Sequence, residues 1–191
     1  GDGVADRMYA ADMGGQILRF DIFDGADVAD LVTGGVIAQL GAKGQTTPTS
    51  ANNRRFYTAP DISVFNDNVQ NRRFIAISLG SGWRAGPLDN TPDDRFYSRR
   101  DPDIFNSLTQ DDYNGYDIIT EGDLVETRNG VAASITSDKD GWMYTLPADQ
   151  KVLSNSVTFN NEIFFVGFDP NTAEAEACAA GLGRNFLYRV S

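Results

Sequence analysis

The spacing of apolar runs along this chain constrains its fold more than any other feature. Short runs alternate with clusters of Gly, Asn, Asp and Pro, which is typical of an all-β protein. Phe164 to Phe168 is apolar almost throughout, so it predicts a strand covered on both faces. The predicted strands are Arg7–Ala11, Gln16–Ile22, Val36–Leu40, Arg55–Val64, Arg73–Leu79, Arg95–Arg99, Gly141–Leu146, Ser156–Phe159, Glu162–Phe168 and Asn185–Val190.

Helical signals are few. Asp101 followed by Pro102 resembles an N-cap with proline at the first helical position, which predicts one or two helical turns through Asn106. Thr120 is predicted to cap a second short turn that runs to Glu126. The chain is therefore expected to be a β protein with only short helical pieces.

Composition excludes several classes of function. The formal net charge is −11, from 27 acidic and 16 basic residues, which argues against a nucleic-acid partner and is compatible with cation binding. Histidine is absent, so neither a Ser-His-Asp nor a Cys-His arrangement can form within the chain, and an enzyme is not expected. No apolar run approaches the roughly 18 residues that span a bilayer.

Cys178 is the single cysteine. It is either a small buried hydrophobe or half of a disulfide whose partner lies outside this sequence. The second interpretation is favoured, because Cys178 falls among small residues between Ala173 and Gly183 rather than in an apolar strand.

The first residues resemble the second half of an EF-hand-type calcium loop. With Asp2 at the fifth loop position, Gly3 falls at the sixth, the Val4 carbonyl at the seventh and Asp6 at the ninth. The earlier ligands would precede this sequence, which also lacks an initiator Met, so a piece of a larger protein is expected. The twelfth position is Tyr9 rather than a bidentate Glu, which predicts a loop that closes onto a strand. An ordinary Asp/Gly turn is the alternative.

A weak internal repeat indicates how the strands are organised. Residues 9–21 form a strand, an Asp-x-Gly-Gly turn and a second strand, and both 73–82 and 183–190 resemble half of that unit. Repeated hairpins of this kind build the blades of a β-propeller. At roughly 40–50 residues per blade, the chain has room for at most about four blades. We expect one partial propeller domain over residues 1–191, with insertions near 26–53, 109–120 and 171–183.

Several other residue types are interpreted as structural. The pairs Arg54-Arg55, Arg72-Arg73 and Arg99-Arg100 are each expected to flank a strand, with one Arg bridging an internal acid and the other in water. Asp93-Asp94 and Asp111-Asp112 are expected to be solvated loop charges, and Trp142 a packing anchor.

Three stretches together resemble one known family. They are DGVADRMYAADMGG (2–15) running into LRFD (18–21); IAISLGSGWR (75–84) followed by DRFY (94–97) and Arg100-Asp101; and GWMYTLP (141–147) followed by KVL (151–153), VTF (157–159) and a Cys178-to-Tyr188 ending. In this order they are similar to the C-terminal β-propeller of PilY-type proteins, the tip-associated adhesins and biogenesis factors of bacterial type IV pili.

The resemblance implies a modified, quinoprotein-like propeller with one calcium site, to which Asp2, Val4 through its carbonyl, and Asp6 would contribute. It also implies a role in pilus extension, retraction and surface attachment, outside the cell at the pilus tip or the outer-membrane surface. The expected partners are minor pilins, the rest of the chain's own propeller, and a host or abiotic surface. The alternatives are a fragment of a quinoprotein-type dehydrogenase propeller and a purely structural pilus-docking module.

Overall fold

The computed structural model describes residues 4–67, 72–128, 135–136, 139–171 and 183–190. Over these ranges the chain forms twelve strands, one short α-helix and two 3-10 turns, at Ala42–Gly44 and Glu121–Asp123. The elements are β1 (Arg7–Ala11), β2 (Gln16–Ile22), β3 (Val32–Gln39), β4 (Asp61–Asp67), β5 (Arg72–Gly80), β6 (Arg95–Asp101), α1 (Gln110–Asn114), β7 (Val125–Thr127), β8 (Gly141–Thr145), β9 (Lys151–Val152), β10 (Val157–Phe159), β11 (Glu162–Asp169) and β12 (Arg184–Val190).

The strands form three sheets. The first sheet has the order β1-β2-β3, and the central sheet has the order β4-β5-β6-β8-β7. In the third sheet, β11 lies between β12 and the two short strands β9 and β10, which pair with its opposite ends. All these pairings are antiparallel except that of β7 with β8.

The central sheet is covered on both faces. On β6, Phe96 belongs to the core shared with the third sheet, whereas its neighbour Tyr97 belongs to the core shared with the first sheet. Successive side chains of a strand point to opposite faces, so one strand serves both cores. The core toward the first sheet includes Ile17, Ile37, Leu40, Ile77, Leu79 and Met143; the core toward the third sheet includes Trp142, Tyr144, Val152, Ile163 and Phe165.

Two tight turns follow directly from the sequence. Asn160 and Asn161 connect β10 to β11 with φ values of 51° and 62°, the left-handed conformation that Asn tolerates. At the β1–β2 turn, the Asp12 carboxylate accepts hydrogen bonds from the backbone N–H groups of Gly14 and Gln16, each at 2.9 Å. The predicted Asp-x-Gly-Gly turn is therefore confirmed.

Most predicted strands match the structure to within two residues, and the larger differences are confined to β3, β4 and two short strands. β1 and β2 have the predicted bounds, but β3 begins four residues before the predicted Val36. The predicted strand from Arg55 starts only at Asp61, and the short strands β7 and β9 were not predicted. A 3-10 turn capped by Thr120 does form, with a capping box to Asp123, but it is shorter than predicted because Glu126 belongs to β7.

The predicted helix at Asp101–Asn106 is wrong. Asp101 is the last residue of β6, and the only α-helix in the described ranges is α1, which lies within the predicted 109–120 insertion. Backbone carbonyls of Asp103 and Asn106 accept hydrogen bonds from arginine side chains of the first sheet, so they are not engaged in helical pairing. No described helix has the length and apolar character needed to cross a membrane.

Candidate functional site

The N-terminal loop leads directly into a strand, as its sequence predicted. Asp6 immediately precedes β1, and its carbonyl accepts a hydrogen bond from the Ile22 N–H at 2.9 Å, which extends the β1–β2 ladder by one step. The Asp6 side chain is exposed, and Val4 is 47% exposed. Asp2, the remaining predicted ligand, lies outside the described residues, as does Cys178.

The Asp6 carboxylate offers the hard, accessible oxygen that calcium prefers. Calcium takes six to eight such oxygens, so further ligands would have to join it. Within the part of the chain that the structure describes, no group of three or more His, Cys, Asp or Glu side chains is placed to hold a metal ion. The described residues therefore include two candidate ligands, the Asp6 carboxylate and the Val4 carbonyl, and the other ligands would come from outside them.

A buried ionic cluster joins the first sheet to the central one, and Arg7, the residue after the N-terminal loop, contacts it. Arg19 and Asp21 on β2 and Asp101 at the end of β6 are all fully buried. Arg19 donates to both oxygens of Asp21, at 3.0 and 3.1 Å, and to both oxygens of Asp101, at 3.0 and 3.2 Å. One guanidinium thus holds two carboxylates from different sheets.

Further donors complete the coordination of both carboxylates. Asp21 accepts from Arg7 Nε at 2.7 Å and from the Tyr113 hydroxyl at 2.6 Å. Asp101 accepts from the Tyr9 hydroxyl at 2.7 Å, while the buried Arg99 guanidinium lies 3.4 Å away. The cluster therefore ties together β1, β2, β6 and α1.

These contacts determine the protonation of the cluster. Burial alone would raise the pKa of Asp21, but hydrogen bonds from Arg19, Tyr113 and Arg7 outweigh it and hold that pKa below its ordinary value. Burial likewise opposes ionisation of Asp101, yet the nearby charges of Arg99 and Arg19 lower its pKa. Both carboxylates are thus ionised at neutral pH and act as structural anchors.

The same cluster fixes the loop that follows β6. Arg7 donates to the carbonyls of Asp103 and Asn106 at 2.5 and 2.6 Å, and Arg19 donates to the same Asn106 carbonyl at 2.7 Å. Between these anchored positions Phe105 is 82% exposed. The loop therefore holds a large apolar side chain in solvent on a backbone that is fixed by buried charges.

A second ionic cluster surrounds Glu121 between the first and central sheets. Its carboxylate contacts Arg54 at 3.1 Å and Arg95 at 3.0 Å, and accepts from the Tyr97 hydroxyl at 2.7 Å and from Gln45 at 3.0 Å. Two arginines share this partly buried carboxylate. Their contacts hold the 3-10 turn at Glu121–Asp123 against β6 and the segment that carries Arg54.

The interpretation of the arginine pairs is confirmed for buried Arg54 and Arg99 and for Arg73, which is exposed; the Arg72 side chain lies outside the described part of the structure. Arg54 lies against Glu121 and Arg99 against Asp101. The residues that follow Arg54 and Arg99 stack on aromatic rings, which differs from the expected placement in water. Arg55 lies over Trp83 at 4.6 Å and Arg100 over Phe74 at 4.5 Å. Trp142 is a core residue, as predicted.

Asp94 is not the solvated loop charge that the sequence predicted. It is 5% exposed and accepts a hydrogen bond from the Ser81 hydroxyl at 2.6 Å. Burial raises its pKa to about 6, although the Ser81 bond and the charge of Lys151 act in the opposite direction. Asp111 and Asp112 are exposed, as expected.

Arg19 and Asp21 belong to the LRFD stretch of the sequence, but no role was predicted for either residue. A usable signal existed: the two residues are separated by one position on a strand, so both side chains point to the face that carries Ile17. Two opposite charges on a buried strand face indicate an internal ion pair. The cross-sheet partner Asp101 carries no comparable local signal.

Comparisons with known proteins bear on the fold. No family model matches the chain, and no curated protein matches it. The chain is similar to the crystal structure of the Pseudomonas aeruginosa PilY1 C-terminal domain, with a TM-score of 0.67 and 14% sequence identity. The match covers 99% of this chain and 44% of that one, so the chain spans less than half of that structure. The predicted all-β, partial propeller fold is thereby confirmed.

Proposed function

We propose that this chain is part of a pilus-associated binding module of the PilY type, working outside the cell at the pilus tip or outer-membrane surface. The observation that carries the proposal is the fold match to a PilY1 C-terminal domain over 99% of the chain. The module binds minor pilins and an external surface, and its role is attachment and control of pilus extension and retraction rather than catalysis.

The ionic clusters support a mechanical role. Arg19 connects β2 to the end of β6, and Arg7 connects β1 to the loop after β6. A pulling force on the first sheet therefore acts directly on the central sheet through buried, hydrogen-bonded charges. Such pairs are costly to break singly, because removing one partner leaves an uncompensated buried charge.

The proposed function includes calcium binding at the N-terminal loop, with Asp2, the Val4 carbonyl and Asp6 among the ligands. Asp6 is adjacent to Arg7, whose side chain holds Asp21 and the carbonyl of Asp103. Bound calcium would supply positive charge that orders the acidic loop. An ordered Asp6 would restrain the adjacent Arg7, whose side chain belongs to the buried cluster.

Calcium binding is tested by isothermal titration calorimetry on the protein extended upstream by about one loop length. The unchanged protein and Asp24→Ala, which alters an exposed acid in the β2–β3 connection, are expected to bind calcium. Asp6→Ala is expected to lose the binding. Equal binding by Asp6→Ala, or no binding by the unchanged protein, would contradict the site.

The attachment role is tested in the source organism by deleting residues 1–191 from the native protein. Surface pili are counted by electron microscopy, and cells retained on glass and on host-cell layers are counted after washing. We expect fewer pili or weaker retention than in the parent strain. Unchanged pili with unchanged retention would refute the proposal, and fewer pili with normal retention per pilus would favour a purely structural docking module.

A further inference from the structure

Lys151 on β9 carries a buried amine that contacts a side-chain amide. The residue is 1% exposed. Its Nζ donates a hydrogen bond to Asn90 Oδ1 at 2.8 Å, and others to the backbone carbonyls of Asp89 at 2.9 Å and Asp149 at 3.4 Å. Asn90 lies in the connection between β5 and β6, so these contacts join that connection to the third sheet.

The surrounding backbone holds the amine and the amide in place. The Val152 N–H donates to the Ser81 carbonyl at 2.9 Å, which fixes β9 against the residue that follows β5. On the other side, the Thr91 N–H donates to the Asp89 carboxylate at 3.0 Å, which fixes the turn that carries Asn90. The two side chains therefore meet in a preorganised arrangement.

Burial also favours the reactive, neutral form of the amine. Removal from water lowers the pKa of Lys151, although nearby carboxylates act in the opposite direction. Asp94 has the largest electrostatic effect among them, ahead of Asp89, Asp149 and Asp169. Burial raises the pKa of Asp94 itself to about 6. A buried lysine that has released its proton is a nucleophile, and Asp94 is a buried carboxylate that can receive the proton.

The hydrogen bonds of Lys151 orient the amine for attack. An ammonium has three N–H donors, whereas a neutral amine has two N–H groups and one lone pair. The carbonyls of Asp89 and Asp149 can keep the two N–H groups, which leaves the lone pair directed at the Asn90 amide. A nucleophile and an electrophile held together in this way avoid much of the entropic cost of meeting.

We propose that Lys151 and Asn90 form an intramolecular isopeptide bond. Nζ passes one proton to Asp94 and attacks Cγ of Asn90, which forms the Nζ–Cγ bond. Asp94 then protonates Nδ2 as the Cγ–Nδ2 bond breaks, and it accepts one of the two protons left on Nζ. One ammonia leaves, nothing is oxidised or reduced, and no co-reactant is consumed. A single bridging water is sufficient to connect Asp94 to the reacting atoms.

The bond closes a covalent ring between residues 90 and 151. This ring contains β6, α1, β7 and β8, and it links the central sheet to the third sheet. A hydrogen-bonded contact is lost when two sheets are pulled apart, whereas a covalent cross-link is not. The bond also restricts the unfolded chain as a disulfide would. The competing interpretation is that Lys151 only donates hydrogen bonds.

Mass spectrometry of the native full-length protein that contains this sequence tests the proposal. Tandem spectra of a digest show whether the peptide with Asn90 is joined to the peptide with Lys151, with the loss of one ammonia. Lys151→Met and Asn90→Ala each remove one reactant. Asn155→Ala, at an exposed position between β9 and β10, is the control.

We expect the joined peptide in the parent protein and in Asn155→Ala, and only separate peptides in the two reactant variants. Separate peptides in the parent would overturn the proposal, and this outcome requires no variant to fold. Loss of ammonia from the Asn90 peptide that persists in Lys151→Met would also overturn it. Cyclisation of an asparagine onto its own backbone releases ammonia without any lysine.

The role of Asp94 is tested by the rate of bond formation. The joined peptide is followed over time in newly synthesised, isotope-labelled protein. Asp94→Asn cannot carry the proton, so the joined peptide should accumulate at least about tenfold more slowly. Its final yield should be unchanged, because Asp94 is not consumed. A rate equal to that of the exposed control Asp93→Asn would contradict this role. The proposal does not depend on calcium or on the pilus role.

Discussion

Arg19 is fully buried, and its guanidinium contacts two carboxylates, Asp21 on its own strand and Asp101 on another sheet. A buried ion pair is weak evidence of net stabilisation, because desolvation of the charges offsets much of their attraction. Removing only the arginine is expected to cost more than replacing the whole ion pair. The two carboxylates would then lie close together in the interior with only Arg7 and Arg99 left to balance their charge.

Replacement of Arg19 by Met is therefore expected to destabilise the protein by about 3–5 kcal/mol, the usual cost of leaving buried charges without their partner. Urea unfolding followed by circular dichroism measures the change. Arg128→Met is the matched control, because Arg128 pairs with Glu126 at an exposed position and should cost no more than about 1 kcal/mol. Equal losses in the free energy of unfolding would show that the buried cluster stabilises the protein no more than the exposed Arg128–Glu126 pair.

The burial of Asp94 predicts that the protein loses stability as the pH rises, which is opposite in sign to the contribution of Asp21 and Asp101. Its pKa is about 6 in the folded protein, above the ordinary Asp value, so the folded state holds the proton more tightly than the unfolded state. The stability that this provides is complete at about pH 4 and is lost as the pH rises to about 6.

Asp94→Asn mimics the protonated carboxyl and keeps an acceptor for Ser81. It should therefore match the parent protein near pH 4 and exceed its stability by up to about 3 kcal/mol at pH 8. Thermal unfolding from pH 4 to pH 8 measures the difference. The exposed neighbour variant Asp93→Asn should leave the profile unchanged. A constant gap between Asp94→Asn and the parent at all pH values would refute the assignment.

Individual charges were the hardest features to predict. Asp93 and Asp94 are adjacent and look alike in sequence, yet one is exposed and the other is buried beneath Ser81. Burial at such a position is decided by the packing of the loop onto β5 and β6, which local sequence does not encode. Trp142 was predictable because it lies in an apolar strand, where a large aromatic side chain is normally a core residue.

At the level of elements, the β1–β2 turn is controlled by Gly15. Its φ is +78°, and a Cβ there would lie 2.6 Å from the Gly41 backbone. Gly25 has a similar φ of +81°, but a Cβ there would meet nothing within 4 Å. The two positions share the same backbone conformation and differ in the space around them.

Gly25→Ala is expected to cost about 1–2 kcal/mol, the penalty of a left-handed conformation for an L-residue. Gly15→Ala should cost about 1–3 kcal/mol more, because the turn and the Gly41 backbone must move apart. Chemical denaturation of both variants measures the difference. Equal costs would indicate that the turn relaxes freely and does not fix the first sheet.

Short-range signals predicted elements well, and long-range contacts account for the failures. The bounds of β1 and β2 follow from alternation and a Gly-Gly turn, both of which are local. The predicted helix after Asp101 failed because Arg7 and Arg19, more than 80 residues away in sequence, bind the carbonyls of that segment. Helix propensity cannot report such contacts.

At the scale of the whole molecule, the sequence predicted the class of fold through its repeated hairpins. It could not specify how many strands each sheet has, and the sheets contain three, five and four strands within the described ranges. The parallel addition of β7 to β8 is an example, since three residues at a sheet edge leave no periodic signal. The calcium loop at Asp2, Val4 and Asp6 remains a prediction.

The pilus association that we propose for this chain is tested most directly on pili themselves. Pili sheared from cells of the source organism are collected, and the native protein is quantified in that fraction by mass spectrometry. A strain that cannot assemble pili is treated identically. We predict that the protein is enriched in the sheared fraction only when pili are present. Equal amounts from both strains, or a protein that stays entirely with the cell bodies, would contradict the claim.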